Sequence, residues 1–297
     1  MPQLHTNGVR LEYERFGDPS APPVLLVMGL GAQMIFWDEE FCEGLASRGR
    51  HVIRFDNRDV GLSTKLDSLG VPNMLEMLPA LLSGKPVTAP YLLSDMAKDA
   101  AGLLEGLGIP AAHVVGASMG GMIAQTLALE HPSRVLTLTS IMSTTGRQGL
   151  PSPSPDAQRV LLTPAPADRA GNVERAVETW RVIGGPGFPF DEAGIRERAG
   201  RAYDRSFAPQ GMARQLAAIL ASGSRAEALQ KLRTPTLVIH GDADPLVPLE
   251  GGRDTAACVP GAELLVVKGM GHDLPRGAWP QILDAIGKLT GSVSAGA

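Results

Sequence analysis

The sequence predicts an α/β protein: a mainly parallel sheet with helices on both faces and a helical cap inserted in it. Three observations predict it. Short, continuous apolar runs recur along the chain, as strands covered on both faces require. Helical patterns separate those runs, which implies parallel pairing. Across residues 146–232 the strand signal stops and only helical patches remain. The expected core is therefore 1–145 and 233–297, with 146–232 as the cap.

Asn7-Gly8, ahead of the alternating Val9, Leu11 and Tyr13, predicts a hairpin on an antiparallel edge. Val24, Leu25, Leu26 and Val27 form the first buried strand, ending in Met28-Gly29-Leu30-Gly31. A helix is expected over 37–47 and a strand over 51–55, followed by an Asp56-Asn57-Arg58 turn. Ser94 is placed to cap a helix that buries Met96, Ala100, Leu103 and Leu104 and stops at Gly108 and Pro110. His113, Val114 and Val115 begin the next strand; Met122, Ile123 and Leu127 mark the helix after it. Further strands fall at 135–141, 236–240 and 264–267, then a helix at 281–289 and a tail at 291–297. The insertion opens with Pro151, Pro153, Pro155, Pro164 and Pro166, and carries helical patches at 173–183, 195–203 and 212–220.

Composition narrows the function. The chain has 297 residues, 44% of them hydrophobic, and a net charge of −4 from 27 basic and 31 acidic residues. No Lys/Arg cluster points to nucleic acid or an anionic membrane. No apolar run approaches the ~20 residues that span a bilayer, and the N-terminus lacks a signal-peptide pattern. Cys42 and Cys258 are the two cysteines. They give neither a disulfide framework nor metal-ligand spacing, so a cytoplasmic location with no metal is expected.

Between a strand and a helix stands Gly116-Ala117-Ser118-Met119-Gly120. Strand, Gly-x-Ser-x-Gly, helix is the pattern of a nucleophile elbow, whose tight turn holds a serine hydroxyl at its tip. With 35 glycines in the chain, such a pentapeptide arises by chance, so its context decides. A serine hydroxyl needs a base, and the base an orienting carboxylate, in the chain order Ser, Asp or Glu, His. Gly241-Asp242-Ala243-Asp244-Pro245 follows a strand, and only His272 comes after it. His51 and His113 begin strands, His131 ends the elbow helix, and His240 precedes the acids. The expected triad is Ser118, Asp244 and His272. Asp242 is the alternative acid, better placed to bond its own turn. The backbone N–H groups of Leu30 and Met119 are the expected oxyanion hole, each such donor being typically worth ~3–4 kcal/mol in the transition state. Asp56 and Arg58 are expected to pin the oxyanion loop.

With these residues in view, the chain resembles the α/β-hydrolase superfamily over nearly its whole length, and within it the aclacinomycin methylesterase group. The segments that carry the resemblance are 24–31, 51–63, 113–121, 234–248 and 269–275. It implies an α/β-hydrolase fold with a mainly parallel eight-stranded sheet, ester hydrolysis and no cofactor. One departure is visible: many members carry His before the oxyanion-loop Gly, where this chain has Met28. That substitution removes a side-chain brace and leaves the backbone donor in place.

The expected reaction is cleavage of a neutral, fairly apolar small-molecule ester, such as a methyl ester, through an acyl-enzyme. Met28, Leu30, Met119 and Met142 should line the pocket, with Trp180, Phe188, Phe190 and Tyr203 at its entrance. The same triad can run perhydrolysis of the haloperoxidase type, lactone opening or carbon–carbon cleavage. A receptor that has kept only the pocket is a further alternative. A serine at the elbow argues against epoxide and haloalkane hydrolysis, which need a carboxylate nucleophile in this fold. Oligomeric state is not legible.

Overall fold

Asn7 and Gly8 both take positive φ, 46° and 76°, the geometry of a two-residue hairpin turn. They join β1 (Gln3–Thr6) to β2 (Val9–Phe16) in antiparallel register. In the computed structural model, which describes residues 2–73, 76, 77, 79, 83, 85 and 87–293, this hairpin is one edge of an eight-stranded sheet. The tail expected beyond residue 293 lies outside the described residues.

The chain continues through β3 (Pro23–Val27), α1 (Glu39–Ala46), β4 (His51–Phe55), α2 (Leu93–Gly106), β5 (Ala112–Ala117), α3 (Met119–Glu130) and β6 (Val135–Ile141). Strand order is β1-β2-β4-β3-β5-β6-β7-β8, where β7 is Thr236–Gly241 and β8 is Glu263–Val267. β2 pairs antiparallel with β4, and from β4 onward every pairing is parallel. Val24 to Val27 are fully buried, as a continuous apolar run requires. Helix α2 buries Leu103 and Leu104, and α3 buries Ile123 and Leu127, against one face of the sheet. Helix α1 (Phe41, Leu45) and α10 (Trp279–Gly291, through Ile282 and Ile286) cover the other.

Two local expectations change. Helix α2 starts at Leu93, so Ser94 lies inside the first turn instead of capping it. The Asp95 carboxylate does the capping, accepting the Leu92 N–H at 2.9 Å. Helix α1 starts at Glu39; the chain before it makes a 3₁₀ turn, Met34–Phe36.

Between β6 and β7 the described chain is helical, with no strand: α4 (Pro155–Leu162), α5 (Arg169–Ile183), α6 (Glu192–Arg205), α7 (Pro209–Ser222) and the short α8 (Ala226–Leu229). Pro155 belongs to α4, because proline suits the first helical turn, and Ser154 caps it by accepting the Ala157 N–H. Helix α9 (Leu249–Cys258) lies between β7 and β8.

Register fixes where chemistry gathers. Val27 pairs with Gly116, Ala117 with Ile141, Ile141 with Ile239, and Gly241 with Val267. The carboxyl ends of the parallel strands thus share one rim, where loops of an open α/β sheet bind ligands.

One buried residue gives this fold a pH dependence. His113 is fully buried on β5, its Nδ1 2.9 Å from the Thr137 hydroxyl. Burial, helped by Arg50, pushes its pKa down to about 4. A base whose folded pKa is depressed leaves the unfolded chain holding more protons between that value and the ordinary 6.5, so stability falls as pH drops through this window. His113→Gln should flatten the decline by about 2 kcal/mol between pH 7 and pH 4.5. Urea midpoints of both proteins at pH 7 and pH 4.5 check this; parallel shifts would refute it.

Candidate active site

The site is built on the turn between β5 and α3. Ser118 sits there at φ 56° and ψ −121°, a strained conformation for a residue with a side chain. Two glycines make the turn possible. A Cβ at Gly116 would overlap the Gly120 carbonyl, and one at Gly120 would overlap the Val27 carbonyl on β3. Gly120→Ala should therefore cost several kcal/mol and leave little folded protein at 37 °C, read by circular dichroism and soluble yield. A normally folded Gly120→Ala protein would contradict this packing.

The three side chains expected to converge stand in one hydrogen-bonded line. His272 Nε2 is 2.9 Å from Ser118 Oγ, and His272 Nδ1 is 2.8 Å from Asp244 Oδ2. Both Asp244 and His272 are buried. A carboxylate only accepts, so the proton lies on Nδ1 and Nε2 is free to accept from the serine. Asp244 comes from the loop after β7, where its Oδ1 accepts the Leu246 and Val247 N–H groups at 2.9 and 2.8 Å. Burial opposes its ionisation. Its interaction with His272, the His240 ring edge 3.5 Å away and the Val247 N–H outweigh that and hold the carboxyl well below its ordinary range.

His272 is fixed through its backbone as well as its ring. Its N–H donates to the Ile183 carbonyl at the end of α5, 2.7 Å away. Gly187 N–H donates to Gly269 O at 2.9 Å, so the α5–α6 turn lies backbone to backbone on the His272 loop. Asp273, missed at the sequence level, accepts the Gly271 and Gly185 N–H groups and ties the same two segments together. Asp242 does not bond its own turn; its carboxylate reaches across to accept the Gly269 N–H at 2.6 Å. His240 Nε2 donates to the Val247 carbonyl at 2.7 Å, behind Asp244.

The Met28-Gly29-Leu30 loop after β3 is seated on the elbow. A Cβ at Gly29 would stand 3.1 Å from the Ser118 Cβ. Met119 opens α3, where first-turn N–H groups have no intrahelical acceptor. The loop is braced, though not by the pair expected. Asp56 accepts the Met34 N–H at 2.7 Å, on the 3₁₀ turn that follows the loop and not on the loop itself. Arg58 turns away and forms a buried bidentate pair with Asp99 of α2, at 2.6 and 2.7 Å. A guanidinium taken out of water needs such a fork partner. Asn57 does the work assigned to Arg58, donating to the Met28 carbonyl at 2.9 Å.

Above the serine is a cavity of about 1140 Å³. Met28, Leu30, Met119 and Met142 line it from the strand ends. Trp180, Phe188, Phe190 and Tyr203 line it from the insertion. Met142 holds positive φ (41°), a second strained residue at the cavity floor. Phe36 and Trp180 stack with centroids 6.3 Å apart. Among the described residues no cluster of three or more His, Cys, Asp or Glu has metal-binding geometry, and no helix is long and apolar enough to cross a membrane.

Known proteins with this architecture give the geometry its context. Residues 22–182 match the family described as alpha/beta hydrolase fold, and 216–278 match the one described as TAP-like protein. Rhodomycin D methylesterase DnrP from Streptomyces peucetius is 33% identical over 304 aligned positions, covering 94% of each chain. Rhodomycin D methylesterase DauP from Streptomyces sp. (strain C5) matches equally well. Among solved structures, esterase RhEst1 from Rhodococcus sp. ECU1013 superimposes with a TM-score of 0.76 at 17% identity, covering 98% of both chains. With its sheet, its helices and most of its length aligned to this group, the chain belongs to the α/β-hydrolase fold family and is a carboxylic ester hydrolase.

Proposed function

We propose that the protein removes the alcohol, most simply methanol, from a neutral ester of a bulky apolar acid through an acyl-enzyme on Ser118. The observation that carries this is the continuous Asp244–His272–Ser118 line opening into an apolar cavity. Ser118 Oγ attacks the ester carbonyl as His272 Nε2 takes its proton. Asp244 holds the imidazole in the Nδ1–H tautomer and balances the imidazolium. The Leu30 and Met119 N–H groups receive the oxyanion, and His272 then protonates the departing alkoxide. Water follows the same path to release the acid.

The cavity volume exceeds the need of a short acyl chain and suits a polycyclic or long acyl group. Methionines at the floor adapt to such a group. A methyl ester fits the relatives, which are named for removing one from rhodomycin D. Residues 146–232 act as the cap that supplies the cavity roof. The two free cysteines favour a reducing, cytoplasmic setting.

Fluorophosphonate labelling followed by peptide mass spectrometry tests the nucleophile, and a panel of methyl, ethyl and p-nitrophenyl esters tests the specificity. The adduct should sit on Ser118, and apolar methyl esters should be cleaved fastest. An unlabelled Ser118, or turnover confined to charged esters or to peroxide-dependent halogenation, would overturn the assignment.

A further inference from the structure

The oxyanion loop lacks a side-chain brace of its own, because the Met28 thioether has no hydrogen to donate where the superfamily often has His. It also carries glycine on both sides of Leu30, and Gly31 sits at φ 66°. A segment of that kind has many backbone orientations to choose from. Something must select the one in which the Leu30 N–H faces the serine.

Helix α7 of the insertion reaches down to this loop. Gln215 is fully buried. Its Oε1 accepts the Gly31 N–H at 2.8 Å, and its Nε2 donates to the Arg58 carbonyl at 2.8 Å. One amide thus links the loop after β3 to the turn after β4. The far end of that link is itself fixed, since the Arg58 side chain is locked on Asp99.

The helix carrying Gln215 is anchored, not poised to swing. Arg214, 1% exposed, makes a fork to Asp59 at 2.8 and 2.9 Å and reaches Asp67 at 2.8 Å. Tyr91 Oη donates to the same Asp59. Gly211 lies flush on the Asp59 backbone, where any Cβ would overlap the carbonyl. Met212 packs against Gly31, 3.0 Å from where a Cβ there would be. A second link comes from α6: Gln33 Nε2 donates to the Ala202 and Ser206 carbonyls at 2.7 and 3.0 Å, and Arg205 bridges Gln33 to Asp56.

We infer that Gln215 is a positioning residue of the oxyanion hole, and that the insertion is a built-in part of the catalytic apparatus in addition to a roof over the substrate. This rests on the proposed role of the Leu30 N–H. Between the Met28 carbonyl, held by Asn57, and the Gly31 N–H, held by Gln215, only Gly29 and Leu30 intervene. Fixing both ends fixes the peptide plane that presents the donor. Loss of the Gly31 tether lets that plane rotate, and a donor misplaced by about 1 Å loses much of its value.

The test is Gln215→Met, close in volume and unable to accept a hydrogen bond, assayed on an ester and on its thionoester, in which sulfur replaces the carbonyl oxygen. Sulfur is the weaker acceptor and is longer, so the preference of the parent enzyme for oxygen reads the hole itself. Q215M should lose about 10–100-fold in kcat with KM within threefold, and its oxygen-to-sulfur preference should fall by a similar factor. Gln215→Glu, fully buried and facing the Arg58 carbonyl, is held as the neutral acid, which keeps an oxygen on the Gly31 N–H and an O–H on that carbonyl, and should restore most of that preference. A parental preference in Q215M overturns the inference, whether or not kcat falls, because a merely structural role would slow both substrates alike. Should Q215M fail to fold, Gln215→Asn, one methylene too short to reach Gly31, is read in the same way. Cleavage that survives Ser118→Ala, or no oxygen preference in the parent, would instead sink the underlying assignment of the site.

Discussion

Replacing Ser118 by Ala is expected to lower kcat/KM by about 10⁵–10⁶-fold while substrate affinity stays nearly unchanged. The hydroxyl is the only atom removed. His272 loses the hydroxyl at Nε2 but stays held by Asp244 and by the Ile183 carbonyl, and the loop that faces it is unchanged, so binding in the cavity is untouched. The residual rate comes from binding and backbone donors alone. The same position carries strain, with Ser118 at φ 56°. Such a conformation costs about 1–3 kcal/mol for a residue with a Cβ. Ser118→Gly should therefore be as inactive as the alanine variant yet melt several degrees higher. Single-turnover kinetics on a p-nitrophenyl ester and calorimetry of the three proteins check both halves. An alanine variant that still shows a burst of released alcohol would assign the nucleophile elsewhere.

What could be read in the sequence, and what could not, separates by range. The buried strands, the elbow and the order Ser118, Asp244, His272 are local signals: an apolar run, a pair of glycines, an acid and a base each just past a strand. A parallel sheet then brings strand ends to one rim with no further information. Partner choice among polar side chains is different. Arg58 could have served the oxyanion loop from its place in the chain, and so could Asn57. Which one does so depends on Asp99, a residue of α2 that adjacency does not reveal. Asp242 likewise finds Gly269, 27 positions away, instead of its own turn. Gln215 stands in a stretch that reads as plain amphipathic helix, and its buried amide becomes meaningful only beside Gly31 and Arg58. Sequence periodicity marks which face is inside; it does not say what an inward polar group will meet.

Asp244→Asn should lower kcat by about 10⁴-fold through a change of tautomer, with the geometry intact. The amide oxygen can go on accepting the Leu246 and Val247 N–H groups, which orients the amide and leaves its NH₂ facing His272 Nδ1. A donor there requires Nδ1 to accept, so the ring proton moves to Nε2 and points at Ser118 Oγ. The base is then blocked at the atom that must take the serine proton. Asp242→Asn is the internal control, since its amide oxygen still accepts from Gly269 and activity should stay within a few-fold. Stability should respond with a definite sign. The folded-state pKa of Asp244 is depressed below the ordinary 3.8, so the carboxylate contributes its stabilisation fully above that value and loses it as pH falls through the folded pKa. The difference in unfolding free energy between parent and D244N should be largest near neutral pH and shrink below about pH 4. Should D244N keep kcat within tenfold of the parent, residue 244 would not be the partner that orients His272. A stability gap that widened in acid would mean that the native carboxyl is protonated more readily than the unfolded one, the reverse of what its hydrogen bonds from His272, Leu246 and Val247 dictate.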